Sequence, residues 1–463
     1  MTPRFAGFLY RSRLVALFSI AAVCCALVCA SDSRVRYIGL ADASETLKMF
    51  ADSGIAGSSI ADAGEWDRWI RQQDAQVRGR IDGGVEDSIS NFILYGASYT
   101  ELPRFENPES AVDQNGHISV AAQARVNALF ETLGTTNAHE RIQFIRAYLR
   151  RKGISRAGTL QFLTANLQRF AQEQRAYQKK LEDAQSSGDF DQMLRTRGTL
   201  YENRGLSADT SLMTNYALED TLRSLVSRGV LAEGKIHRIA VIGPGLDFTN
   251  KHNGYDFYPL QTIQPFAVME TALRLKLAKS DDIEVATLDL NPAVNEHIAT
   301  LVQNARAGRG YTVQLPRDAA ADWPPDAVAY WEHFGEIMGL PAKPIPVPQT
   351  AGAVTLRAVA IAPRFAVHLT PLDVNIVAQQ MNMQQGRGFD LVIATNILVY
   401  YDLFQQALAM ANIAHMMNPG GIFLSNDTLS RHHVPSLVFL DRRSVSLAAS
   451  GPFGDNVLTY QRQ

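Results

Sequence analysis

The sequence predicts an α/β protein: a doubly wound, mostly parallel sheet over residues 208–463, preceded by a mainly α-helical domain over residues 31–207. Three observations carry this expectation. From Ile236 onward, short unbroken apolar runs alternate with helical stretches, and such runs mark strands buried on both faces. The runs end in Gly, Asp or Asn, where strand gives way to turn. Before Arg204, by contrast, apolar residues recur at spacings of three and four, as in Ile142, Ile145 and Leu149, or Leu160, Leu163, Leu167 and Phe170.

Taken in order, the first strand is expected at Ile239 to Ile242, ended by Gly243-Pro244-Gly245, and a helix follows from Phe266 to Leu277. Ile283 to Leu288 is the second strand and ends in Asp289. Phe365 to Leu369 supplies a third, leading to Asp373, and Asp390 to Ala394 a fourth, followed by Thr395-Asn396. A helix from Phe404 to Met417, the turn Pro419-Gly420-Gly421 and a fifth strand from Ile422 to Ser425 complete the parallel part. Val445 to Leu447 and Val457 to Tyr460 flank a Gly/Pro turn and read as an antiparallel hairpin. Upstream, Asp62-Ala63-Gly64-Glu65 has the spacing of a capping box ahead of Trp66, Trp69 and Ile70. Gly83-Gly84 is expected to break the chain before Val85. Arg150-Arg151-Lys152 before Gly153 reads as a helix end offset by cations.

The 463 residues suffice for two or three domains, and a formal charge of −2 provides no bulk basic field for nucleic acid. Residues 1–30 have the layout of a signal peptide: Arg4, Arg11 and Arg13, then an apolar run from Leu14 to Ala30 with small residues at its end. The body is therefore expected to be exported, periplasmic or secreted, with an uncleaved membrane anchor as the alternative. All three cysteines lie inside this segment, so the mature chain would hold no disulfide, thiolate metal site or cysteine nucleophile. Losing three Arg and no acids moves the body from −2 to −5.

In an open parallel sheet, ligands bind beyond the carboxyl ends of the strands, where the strand order reverses. Gly243 and Gly245 allow a sharp turn and close approach of a ligand, although a turn without a ligand would look the same. Asp289 could accept hydrogen bonds from two ribose hydroxyls or cap the helix that Asn291-Pro292 opens. Asp373 could accept from an adenine amino group or cap a helix, and Asn396 is expected at the same cleft.

Together these positions resemble the class I S-adenosylmethionine-dependent methyltransferases, a Rossmann-like fold. The stretch from Gly388 to Asp402 is similar to the family's fourth-strand motif, especially in its chemotaxis-receptor methyltransferase branch. The helix ending His415-Met416-Met417, followed by Pro419-Gly420-Gly421 and the fifth strand, is similar to its next element, and the closing hairpin to its reversed last strand. The resemblance covers about 230 to 250 residues, and it rests on the order of elements more than on any one motif. It implies S-adenosylmethionine as cofactor and a methyl acceptor, small molecule or protein, that the sequence does not identify. Gly243 and Gly245 would let the methionine part pass, Asp289 would hold the ribose, Asp373 the adenine edge, and Asn396 the cleft floor near the methyl group. Two departures stand out: Val241 where the family has an acid, and Asp247 where it has a third glycine. Asp247 either replaces the missing carboxylate or crowds the cofactor. Two insertions are also unusual: Thr249 to Gln264, a candidate closure over the cleft, and the Pro-rich Arg309 to Gly352, a candidate substrate cap.

No serine-hydrolase elbow, zinc-protease motif or phosphate loop is present, and the His432-His433 pair has no partner ligands, so no metal is expected. No catalytic base stands out; His333, Glu332 and Tyr400 are the candidates. A non-catalytic binding or scaffold protein on the same fold is the competing expectation, motivated by the export signal and the altered glycine loop. An NAD-dependent oxidoreductase ranks last, because Phe248 stands where a dinucleotide loop needs glycine.

Overall fold

The computed structural model of the chain describes residues 34–463 apart from 52–56, 58, 137–138, 187–203, 210–211, 247–254, 385, 428–433 and 451–453. The expected export segment, Asp247 and His432-His433 therefore lie outside the described residues. No helix among the described residues is long and apolar enough to cross a membrane.

A short strand β1 (Val35–Tyr37) leads into helices α1 (Ser44–Phe50) and α2 (Ala63–Gly79). The start of α2 is set by Asp62, whose Oδ1 accepts from the Glu65 amide at 2.8 Å, and its buried side carries Trp66, Ile70, Asp74 and Val77. Helix α3 (Ile81–Tyr95) runs through Gly83-Gly84 without the expected break. The reason is a backbone crossing: a Cβ on Gly84 would lie 1.8 Å from the Leu206 carbonyl oxygen, and one on Gly205 2.1 Å from the Gly83 carbonyl carbon. The glycines trade helix propensity for close approach. Helices α4 (Val120–Thr132), α5 (Glu140–Arg151) and α6 (Arg156–Ser186) close a separate core with α3 around Phe92, Leu129, Ile145 and Leu167. At the basic end of α5, Arg151 and Lys152 lie 3.5 and 3.3 Å from Asp82, and Gly153 takes φ 69°.

After α7 (Leu212–Ser227) the alternation begins: β2 (Arg238–Ile242), α8 (Gln264–Arg274), β3 (Glu284–Asp289) and α9 (Pro292–Arg306). An excursion follows, with β4 (Tyr311–Asp318), α10 (Pro325–His333), β5 (Gly339–Ala342) and β6 (Val354–Ile361). The chain returns through β7 (Leu369–Asp373), β8 (Gln379–Met381), β9 (Phe389–Ala394), α11 (Leu403–Met416) and β10 (Met417–Ser425), and ends in β11 (Leu437–Ser446) and β12 (Gly454–Arg462). The third parallel strand thus lies later than expected. Pro363 starts a helical turn over Pro363–Ala366 that buries Phe365, and Asp373 closes the strand instead of following it.

The seven-stranded sheet has the order β11-β12-β10-β9-β2-β3-β7. Strands β7, β3, β2, β9 and β10 are mutually parallel, and β12 is antiparallel to both β10 and β11. The reversed last strand is therefore inserted between the fifth and sixth strands, and the chain reverses direction across the sheet at β2, between β3 and β9. Alternate residues of β2 face opposite ways: Ile239 and Val241 enter one core, Ala240 and Ile242 the other. Both faces are buried, as unbroken apolar runs demand.

The N-terminal segment divides between two cores. Helices α3 to α6 keep their own, whereas residues 35–77 cover the sheet. Strand β1 pairs antiparallel with β8, the Trp66 indole donates to the Ile38 carbonyl at 2.8 Å, and Phe50 meets Phe404 of α11 edge-on at 5.3 Å. The excursion forms a second, antiparallel sheet in the order β4-β6-β5, with Val313, Leu315, Trp331 and Val359 packed into the core that α7, α8 and α9 also fill.

Candidate functional site

A cleft of about 560 Å³, counting its open mouth, lies at the carboxyl ends of β2 and β3, the place where a doubly wound sheet binds its ligand. The loop after β2 forms one wall. Gly243 and Gly245 take φ 65° and 72°, and a Cβ on Gly243 would come within 2.1 Å of the Ile397 side chain. Glycine at 243 is therefore required twice, by backbone conformation and by the approach of the loop after β9.

Asp289, the last residue of β3, is partly buried in the same cleft. Its Oδ1 accepts from the Asn291 amide at 2.8 Å, and the Leu290 and Gly245 amides also donate toward its carboxylate. Burial nevertheless raises its carboxyl to about 7, assisted by the negative Asp373 on the neighbouring strand. The cap of α9 is Asn291, which accepts from Ala293 at 3.0 Å. Asp289 is thus not the cap of α9; its carboxylate gathers the amides that join the glycine loop to the end of β3.

Asp373 pairs in register with Asp289 across β3 and β7, but its carboxylate turns to Arg78 of α2, at 2.7 Å. Arg78 also holds Asp74 at 2.8 Å and Gln379 at 3.1 Å. Asn396 takes φ 57° and is exposed; its amide donates to Asn426 Oδ1 at 2.8 Å, and its own Oδ1 accepts from Asn426 at 3.2 Å. The structure therefore brings Gly243, Gly245 and Asp289 together on one cleft, and places Asp373 and Asn396 at its margins. Ile397 and Tyr400 supply the cleft wall near β9.

Several contributors escape sequence reasoning because their partners are remote. Asp427, after β10, is buried and accepts from the Ile397 and Leu398 amides at 3.0 and 2.7 Å, which holds the loop after β9 in place. Burial raises its carboxyl to about 7. The roof of the cleft is a strap, Leu206-Ser207-Ala208. Its Ala208 carbonyl accepts from Leu246 at 2.7 Å, and Arg80 ties the strap to the far wall by donating to the Arg204 carbonyl at 2.9 Å and the Tyr400 carbonyl at 2.8 Å. Only the strap's composition was visible in the sequence; nothing there signalled that it crosses a cleft.

Among the described residues neither insertion lines the cleft. No cleft-lining residue comes from 309–352, because that segment builds the second sheet. The described part of the other insertion ties the helical core to the rest: Asp256 accepts from the Ala97 amide at 2.9 Å, and the Phe257 carbonyl meets His139 Nε2 at 3.0 Å. Of the candidate bases, His333 lies 3.3 Å from the buried Glu219 of α7, away from the cleft, and Tyr400 alone lines it. Among the described residues no cluster could hold a metal ion.

No protein-family model and no curated protein matches the chain. Among the solved structures to which the chain is similar are three methyltransferases. The N-methyltransferase NodS from Bradyrhizobium japonicum WM9 aligns at 11% identity over 54% of this chain and 95% of its own, with a TM-score of 0.24. The magnesium protoporphyrin IX methyltransferase ChlM from Synechocystis PCC 6803 aligns at 9% identity over 59% of this chain and 85% of its own, with a TM-score of 0.23. The glycopeptide N-methyltransferase MtfA aligns at 10% identity over 53% and 90%, with a TM-score of 0.27. At such values the likeness carries no argument, and the functional reading rests on this chain's own residues.

Proposed function

We propose that the chain is an S-adenosylmethionine-dependent methyltransferase whose cofactor lies in the cleft beneath the strap. The observation that carries this is the convergence of Gly243, Gly245 and a non-capping Asp289 at the point where the sheet reverses direction. These residues fit the group. The glycine loop gives bare backbone to a close-lying chain, Asp289 offers a carboxylate to paired hydroxyls, and Leu288, Val374 and Ile376 give apolar surface to a flat base. When bound, the cofactor supplies an electrophilic methyl on a sulfonium. The protein's task is then to hold a nucleophile in line and exclude water, which is chiefly positioning. Asp373 contributes here through its ion pair with Arg78, fixing the end of β7.

The second reading is a non-catalytic binding protein on the same fold. The engagement of Asp373 by Arg78 favours it, since that carboxylate is already partnered. Calorimetry of the full chain with S-adenosylmethionine and, separately, with NAD distinguishes the readings. Binding of the first and not the second is expected. Asp289→Asn should weaken it by roughly 10- to 150-fold, the effect of losing a charged hydrogen bond worth about 1.5–3 kcal/mol. If the parent binds neither compound, the non-catalytic reading replaces this one.

We also propose that the body works outside the cytoplasm, because Arg4, Arg11 and Arg13 precede an apolar run ending in small residues. Alkaline phosphatase fused after residue 60 should be active in a bacterial host. Activity confined to a cytoplasmic reporter would refute export.

A further inference from the structure

A second cavity, polar and about 1030 Å³ counting its open mouth, lies where α3 and α6 meet the strap. It adjoins the cofactor cleft: Ser207 and Tyr400 line both. Among the described residues its wall carries the carboxylates of Asp87, Glu106, Glu109 and Asp209 and the guanidinium of Arg204. Asp87 is matched by Arg169 at 2.6 Å. Glu106 and Glu109 form no side-chain hydrogen bond or ion pair with any described residue. An excess of carboxylates among the described residues of a concave wall favours a cationic occupant.

A separate observation points to an occupant with hydrogen-bonding groups. Asn91 of α3 lines this cavity and is only 7% exposed, yet its carboxamide bonds to no described residue. The amide opens onto the cavity and offers both a donor and an acceptor to an occupant. Phe170 and Tyr177 add aromatic faces, which attract organic cations. A metal ion is the poorer match, because no three acidic or imidazole groups among the described residues converge tightly enough to hold one.

We propose that this cavity is the acceptor site and that the acceptor is an organic ammonium, a primary or secondary amine charged at neutral pH. The inference rests on the methyltransferase reading of the adjoining cleft. In this reading the acceptor nitrogen reaches the methyl group past Ser207 and Tyr400, which border both cavities. In the transfer the ammonium first gives a proton to a cavity carboxylate. The freed lone pair then forms the N–C bond as the C–S bond breaks, its electron pair staying on sulfur as a thioether. One proton is released for each methyl moved.

The test uses 2-phenylethylamine and its anionic counterpart phenylacetate, each titrated calorimetrically into the full chain with S-adenosylhomocysteine titrated in parallel. The amine should bind, more weakly as salt rises, and phenylacetate should not. The double variant Glu106→Gln/Glu109→Gln removes two charges from poorly buried positions and should fold normally. It should weaken the amine by about 2- to 30-fold, the range for two exposed charge pairs, while S-adenosylhomocysteine binds as before. Equal binding of phenylacetate, or an amine affinity unchanged in the double variant, would overturn the ammonium assignment. Binding of S-adenosylhomocysteine with none of the amine would sink this inference and leave the cofactor reading standing. Binding of the amine with none of S-adenosylhomocysteine would overturn the acceptor role along with the cofactor reading.

Discussion

Asp289 ends β3 and Asp427 follows β10, both at the carboxyl edge of the parallel strands, and burial raises both carboxyls to about 7. An unfolded aspartate titrates near 3.9. Between about pH 4 and pH 7 the folded chain therefore holds protons that the unfolded chain has released. Stability contributed by such groups is full below that window and falls as pH rises through it. The ligand-free melting temperature should drop between about pH 5 and 7.5, and Asp289→Asn should flatten part of that slope. A parent whose melting temperature rises across this range would show that both carboxyls are ionised throughout. Binding should run the other way. If the ionised Asp289 accepts from the ribose, S-adenosylmethionine affinity climbs as pH approaches 7 and levels off above it, by at most tenfold per unit. At this scale the sequence was informative for Gly243 and Gly245, whose positive φ follows from residue type. It was silent on Arg78, which meets Asp373 across 295 positions of chain.

The crossing of α3 with the strap is the element on which cleft geometry depends. Gly84→Ala would drive a methyl into the Leu206 carbonyl, since the built Cβ lies 1.8 Å from that oxygen. Overpacking of backbone against backbone should cost about 1–3 kcal/mol. The displaced strap should also admit protease near Arg204. Gly79→Ala at the end of α2 is the control, because nothing lies within 4 Å of its Cβ. Higher helix propensity should make that change neutral or stabilising by up to about 1 kcal/mol. Equal melting shifts in the two variants, read by scanning calorimetry, would mean that the crossing has no special role. Strand periodicity located four of the five parallel strands to within a few residues. It failed at Phe365, where Pro363 begins a helical turn and an apolar pair packs without alternation. It also failed at Gly83-Gly84, because a glycine pair signals a break unless a neighbouring backbone requires it, and that neighbour is 120 residues away.

For the whole molecule, the division at residue 207 is tested by the distribution of cores. Trp66, Ile70 and Val77 cover the same sheet face as Phe404 and Leu408. A chain beginning at residue 208 would leave that face bare, and large exposed apolar patches drive aggregation. Limited proteolysis is expected within residues 187–209, in polar sequence. The two pieces should then co-elute on gel filtration, held by the β1–β8 pairing and the Arg78–Asp373 ion pair. Separation into a stable monomeric 208–463 fragment would show that residues 35–77 are dispensable to the sheet.

The class of the sheet, the succession of its parallel strands along the chain and the glycine loop were legible in the sequence, because each is written in local signals: apolar period, turn residues and cap spacing. Tertiary structure alone decided which carboxylates face the cleft, what roofs it, and where the two insertions go. Those outcomes depend on contacts between segments distant in the chain, up to the 295 positions between Arg78 and Asp373, where local preference carries no information. Asp289 and Asp373 look alike in sequence, each an aspartate at a strand's end. Only the arrival of Arg78 from α2 makes one a paired structural ion and leaves the other beside the glycine loop.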